Sequence, residues 1–275
     1  MFKFLLSQLA GKKEDASFWE HAEVVRAFVI RSLIAFFVLS IAAFFFKDFI
    51  FNTIILNPKD KDFITYRLLC RLGSLVNTDS LCIESFDFRL INLTIAGQFR
   101  WHMVISFLTG FILAFPYILW CLWRFVRPAL SADEIKHSGR IVFYILILFF
   151  LGLVFGYFVI LPLSIYFLAN YELSSQITNH ITIGSYISTI AVIPFSTGII
   201  FELPALIYFL AKIGLISAGF LKKYRKHSFV VILIIAAIIT PSTDAFTLAL
   251  VTIPLYLLYE ISIQIAARIE KKNQI

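Results

Sequence analysis

Glu202 stands alone as a charge in Ile193-Pro-Phe-Ser-Thr-Gly-Ile-Ile-Phe-Glu-Leu-Pro-Ala-Leu-Ile-Tyr-Phe-Leu210, a stretch long enough to cross a bilayer. An ionised carboxylate in hydrocarbon costs roughly 2.5 to 3.5 kcal/mol on insertion scales. Two readings follow. Either the group binds or relays something from a face turned to protein or water, or it is protonated or satisfied by a neighbouring helix. Two further carboxylate groupings lie at segment boundaries. Ser17 and Glu20 have capping-box spacing, and Glu23 and Arg26 share one helix face three residues apart. A solvated helix start explains that set equally well. After Phe125, Pro128 interrupts a helix, and Ser131 with Glu134 has capping-box spacing for the next one. Asp133 and Glu134 then lie in a first turn where they can receive a basic peptide, although capping alone also accounts for Glu134.

Catalysis finds little support. His21, His102, His137, His180 and His227 are far apart, and no HExxH, GxSxG, Walker loop or Cys/His metal spacing occurs. We therefore expect no enzyme, no metal and no cofactor. An intramembrane hydrolase needs a second polar group at matched depth, and proton-coupled transport needs a relay; only Glu202 is central. Cys70 and Cys82 share one long loop, where an oxidising compartment allows a disulfide; two unpaired thiols are the alternative. Cys121 reads as a small packing residue.

The elements that must position these residues are membrane helices. The 275 residues are 60% hydrophobic with 31 Phe and mean hydropathy +0.89, a composition that excludes a soluble domain. The net charge of +7 does not imply nucleic acid, because the basic residues flank apolar segments and suit anionic headgroups. Met1–Ala10 is too short an apolar run for a signal peptide, so the first span is expected to act as the insertion signal.

Six apolar segments are expected, near 27–46, 103–123, 141–163 (its helix extending to about 168), 186–211, 229–240 and 245–259. The last two are short. They must run into polar flanks, sit in a thinned bilayer, or form one buried hairpin that does not span. Lys3, Lys12, Lys13 and Arg26, then Arg124 to Arg140, Lys212 to Lys226 and Arg268 to Lys272, place four regions and both termini on the cytoplasmic side. The expected organisation is a cytoplasmic segment over 1–26 with an amphipathic helix start, a six-helix domain over 27–267 and a basic tail over 268–275. The loop over about 47–100 would fold as a cap on the outer face.

In order, these segments resemble TatC, the receptor subunit family of the twin-arginine protein translocase. The resemblance rests on Phe18-Trp-Glu-His21 with Arg26, Gly97-Gln-Phe99, Ala114-Phe-Pro-Tyr-Ile-Leu119 and Phe125-Val-Arg-Pro-Ala-Leu130 with Glu134. It continues through Gly156-Tyr-Phe158, Leu161-Pro162, Phe201-Glu-Leu-Pro204, Thr240-Pro241 with Asp244, Ile253-Pro-Leu-Tyr256 and Leu258-Tyr-Glu260. It implies an all-α polytopic membrane protein: a cup-shaped bundle of six transmembrane helices, the last two short, in the bacterial inner membrane. It further implies a non-enzymatic receptor for twin-arginine signal peptides of folded cargo. Such a receptor works with TatA- and TatB-type single-span partners and other copies of itself, in transport driven by the proton-motive force.

By the same resemblance Phe125 and Glu134 belong to the signal-peptide site, with Pro128 and Leu130 shaping the loop. Glu134 can accept hydrogen bonds from a guanidinium, and Phe125 can stack on it. Glu202 corresponds to the family's intramembrane glutamate, in contact with a partner helix or the inserted signal. Two positions depart from the pattern. The family's His-Leu-Glu-Glu-Leu-Arg is His21-Ala-Glu-Val-Val-Arg26 here, so its second carboxylate is replaced by Val24, leaving Glu20 or Glu23 to substitute. The sixth span has Thr247 followed by Leu248 where Ser or Thr is followed by Gln, a less polar docking face. The competing reading is a proton-coupled solute transporter centred on Glu202, for which Phe125 and Glu134 would be irrelevant.

Overall fold

The computed structural model describes residues 2–60, 62–75, 89–126, 132–171, 174, 180–240 and 245–273. Its side chains are described apart from those of helical residues 2–22, 24, 72, 75, 126, 132–141, 246 and 272–273. Among the described residues the chain is helical, with one isolated parallel bridge between Ile91 and Thr182.

Helix α1 (Phe2–Phe45) is continuous, so the charged N-terminal segment and the first span form one rod. A single turn, α2 (Lys47–Phe49), leads into π-helical turns at Ile50–Ile55 and a 3-10 turn at Asn57–Lys59. Helix α3 (Ile64–Leu75) follows, outside the membrane segments. Helices α4 (Gly97–Val126) and α5 (Ala132–Phe155) come next. A π-helical stretch, Gly156–Ile160, joins α5 to α6 (Leu161–Asn170), so the third apolar segment extends as expected. The fourth is two helices, α7 (Ile183–Ile200) and α8 (Leu203–Lys212). Short α9 (Ala218–Lys223), α10 (Arg225–Ile239) and α11 (Ala245–Asn273) complete the order.

Among the described residues, five stretches are long and apolar enough to cross a membrane: Val25–Phe45, Gly97–Phe125, Val142–Asn170, Ile183–Lys212 and Thr247–Lys271. The remaining segment, the fifth along the chain, is α10, whose fifteen residues rise roughly 22 Å. Its exposed Val230, Val231, Ile234 and Ile238 give it the apolar outer face of a lipid-facing helix. Of the expected short pair, only α10 is short. The apolar run that ends near Tyr259 continues through polar flanks to Asn273.

The chain divides into two compact units. The first, Met1–Phe46 with Met103–Val142, packs α1 on α4. A Cβ on Gly110 would meet the Ser40 backbone at 2.6 Å, so glycine permits that close approach. Phe36 packs beside Phe107 and Phe111, with ring centroids 6.0 and 6.5 Å away. The Ser40 hydroxyl donates to the Phe36 carbonyl in its own helix, which hides its polarity.

The second unit comprises Lys47–His102 and Phe143–Ile275. Here α8 packs along α11, and the π-helical stretch of the third span packs on α7. The last carbonyls of a helical run have no partner in their own helix, and tyrosines from elsewhere serve those of Ile54 and Ile55. Tyr157 donates to Ile54 O at 2.6 Å and Tyr186 to Ile55 O at 3.0 Å. Tyr66, from α3, is within hydrogen-bond distance of Pro58 O at 3.0 Å and Pro162 O at 3.2 Å. Thr65 donates to Phe158 O. The Ile91 amide donates to Ile181 O and the Ile183 amide to Ile91 O, joining the segment before α4 to the segment before α7.

Candidate functional site

Glu202 lies where the fourth span breaks. Phe201 and Glu202 form a turn between α7 and α8, and Pro204 follows within the first turn of α8. Proline has no amide proton, so the Ile200 carbonyl loses its usual partner four residues on. The Glu202 amide donates instead to Ile199 O at 3.1 Å, and its carbonyl accepts from Leu206 N at 2.9 Å. The span is therefore hinged at its carboxylate. The Glu202 side chain is half-buried, and its Oε1 is enclosed with no hydrogen-bond partner among the described residues.

Close helix packing puts the carboxylate there. Gly152 of α5 faces Gly198 Cα and the Phe201 side chain, while Gly156 faces Pro194 Cα. Gly152 and Gly156 form a GxxxG pair, a pattern that lets membrane helices touch backbone to backbone. The backbone of Phe149 lies beside the carboxyl group. Next to the break is a groove of about 380 Å³, lined by Leu151, Val154, Phe155, Phe158, Val159, Phe201, Pro254, Leu257, Leu258 and Ile261. Its lining is apolar throughout. The arrangement suits an apolar helix or chain with Glu202 as the nearby polar contact; a proton relay would need a second titratable group, and none lines the groove.

The boundary residues resolve in part. Glu23 and Arg26 are exposed on α1. Phe28, one turn inside the span, has its ring stacked at 6.3 Å from that of Phe125 at the end of α4. Phe125 is thus a half-buried aromatic on a helix terminus. Pro128 and Leu130 lie outside the described residues, as do the side chains of Glu20 and Glu134, whose backbones belong to α1 and α5. Thr247 is fully buried in the first turn of α11. Cys70 is disulfide-bonded, Cys121 is free, and Cys82 lies outside the described residues.

Three features escaped sequence reasoning. Arg31 lies exposed inside the first span, where a long stem lets its charge reach the interface. Tyr117 and Cys121, one turn apart on α4, lie in the electrostatic range of Arg31 and Arg124. In the second unit, Glu260 of α11 pairs with Arg225 at 2.7 Å and accepts from Tyr256 at 3.2 Å. Tyr259 donates to Leu221 O and accepts from Ser228, while the Glu270 carboxylate accepts from Ala218 N at 2.7 Å. A carboxylate recurring along an otherwise apolar helix was the available signal.

Known proteins share this pattern. The family model for TatC, Sec-independent protein translocase protein, matches residues 20–254. A Sec-independent protein translocase protein TatC of Blattabacterium sp. subsp. Periplaneta americana (strain BPLAN) is 42% identical over 267 residues, 96% of this chain and all (100%) of that one. The protein of the same description from Carboxydothermus hydrogenoformans is 35% identical over 255 residues, 93% of this chain and 94% of that one. A crystal structure of the twin arginine translocase receptor TatC superposes with a TM-score of 0.67 at 32% identity, covering 90% of this chain and 97% of its own. The structure of that receptor in DDM gives 0.70 at 34% identity, covering 88% and 97%.

Proposed function

The chain belongs to the TatC family of Sec-independent protein translocase proteins, and on that premise we propose how its residues serve the receptor role. It is a helical membrane protein and a translocase component rather than an enzyme. The proposed ligand is the twin-arginine signal peptide of folded cargo, bound at the cytoplasmic face of the inner membrane, with both termini on that side. The proposed partners are TatA- and TatB-type single-span proteins and further copies of the receptor.

In this reading Glu134 accepts the arginine pair, Pro128 and Leu130 shape its loop, and Glu23 or Glu20 supplies the carboxylate that Val24 lacks. Arginine stays charged throughout the physiological range, so recognition does not depend on pH there. Phe125 offers the aromatic face. The Phe28–Phe125 stack supports this role, because it holds the ring at the end of α4 against α1, the helix that also carries exposed Glu23 and Arg26. Glu202 contacts the inserted signal or a partner helix along the apolar groove, and buried Thr247 shapes the start of α11.

The single observation that carries the reading is the apolar groove beside an unpartnered carboxylate oxygen, without a second titratable group in its lining. A solute carrier centred on Glu202 lacks its relay here. Photocrosslinking tests the reading. Probes at Phe125 and beside Glu134 should capture a twin-arginine signal peptide, and lose it when the pair becomes Lys-Lys or on Glu134→Ala. An inserted, folded protein that shows no such crosslink would sink it.

A further inference from the structure

The turn from α8 to α10 carries a surface that the receptor role leaves unused. Gly214 ends α8 in the left-handed region at φ 77°, and Ser217 caps α9 by accepting from Phe220 N at 3.0 Å. Ala218 and Leu221 point inward and are buried. The Glu270 carboxylate on the Ala218 amide and Tyr259 on the Leu221 carbonyl fasten α9 to α11. With its inner face fixed, the outer face is held in one orientation. Leu215 is 71% exposed and Phe220 52% exposed, although both are large and apolar. Lys222, Lys223 and Lys226 are exposed beside them.

No acidic residue occurs over residues 213–228. Arg225 is already paired with Glu260, and among the described residues no ion pair joins the three lysines to a carboxylate. Lys223 stands over the Tyr224 ring at 5.9 Å, and Phe220 packs on Tyr224 at 4.6 Å. Apolar side chains beside unpaired ammonium groups, at the end of a membrane span, match a lipid interface: acyl boundary for the first, phosphate for the second.

We propose that the α8–α10 turn binds anionic phospholipid headgroups, with Lys222, Lys223 and Lys226 on the phosphates and Leu215 and Phe220 in the acyl boundary. The turn then anchors α10, a helix too short to span an average bilayer unaided, at the depth the headgroups set. A soluble acidic peptide would satisfy the lysines but leave Leu215 and Phe220 in water.

The test is native mass spectrometry of the full-length protein in neutral detergent, titrated with phosphatidylglycerol or phosphatidylcholine. Wild type should retain phosphatidylglycerol preferentially. K222Q/K223Q/K226Q should weaken that retention by about fivefold for each lysine, while K222R/K223R/K226R keeps it. Melting temperatures of the variants report their folding, and signal-peptide crosslinking at Phe125 should be unchanged in them, which separates this surface from receptor function. Equal retention of the two lipids, an unaltered glutamine variant, or displacement by soluble glycerol phosphate would each overturn the proposal.

Discussion

Gly152 of α5 and Gly198 of α7 meet backbone to backbone: a Cβ on Gly152 would lie 2.8 Å from the Gly198 Cα. The nearest atoms are a main chain and the root of the Phe201 side chain, neither of which yields cheaply. Gly152→Val should therefore force the third and fourth spans apart, at a cost of about 1–3 kcal/mol. Thermal unfolding of the purified protein in detergent reads this out. Gly219→Ala is the control, because the nearest atom to its added methyl is Ser217 Oγ at 3.8 Å.

That crossing also fixes where Glu202 stands, one turn beyond Gly198, with an enclosed Oε1 lacking a partner among the described residues. Glutamine keeps the shape and a hydrogen-bonding oxygen without a charge. Glu202→Gln should keep transport of a twin-arginine reporter within about threefold, whereas Glu202→Lys, which puts a full cation at that depth, should abolish it. A glutamine variant as dead as the lysine one would show that ionisation is required. That result would revive proton-coupled chemistry.

Much of this was legible in the sequence. Apolar runs separated by basic clusters give the helices, and an isolated glutamate marks the intramembrane position. The bend at Glu202 was legible through Pro204, because a missing donor is a property of the residue itself. Two kinds of feature were not. Extension of α11 into its polar flank was one of three readings the sequence left open, and what selects it was hidden, because Glu260 and Glu270 find their partners Arg225 and Ala218 far away in sequence. The pairing of Tyr66, Tyr157 and Tyr186 with carbonyls of the turns over 54–58 was hidden too, since such turns have no composition of their own. The glycine pair at 152 and 156 was readable as GxxxG, but its partner face on α7 was not.

Tyr66 is 2% exposed, and burial pushes its phenol well above the ordinary tyrosine range. The sign follows from that direction. The folded state holds the neutral phenol, so its contribution is complete below the unfolded value of about 10 and is lost as pH rises above it. Tyr66→Phe should cost about 1–2 kcal/mol at neutral pH, because the one hydroxyl that Pro58 O and Pro162 O share as donor is lost. It should also remove part of the alkaline loss of stability. Melting temperatures at pH 8 and pH 11 for both proteins measure the two effects together; identical alkaline losses would assign the pH dependence to other groups.

Arg225 and Glu260 tie the start of α10 to the middle of α11 with a single contact at 2.7 Å. Both side chains are partly exposed, so the pair gains little from Coulomb attraction alone, about 0.5–1 kcal/mol in a double-mutant cycle. Glu260 also accepts from Tyr256, and removing the carboxylate strands that hydroxyl as well as the guanidinium. Glu260→Ala should therefore destabilise more than Arg225→Ala, and the double variant should cost less than the sum. The cycle is measured by thermal unfolding of the four proteins. Strict additivity would mean that the pair contributes no coupling and that Glu260 acts through Tyr256 alone. The anchoring of α10 would then rest on Tyr259 and Ser228, whose hydroxyls lie 2.9 Å apart.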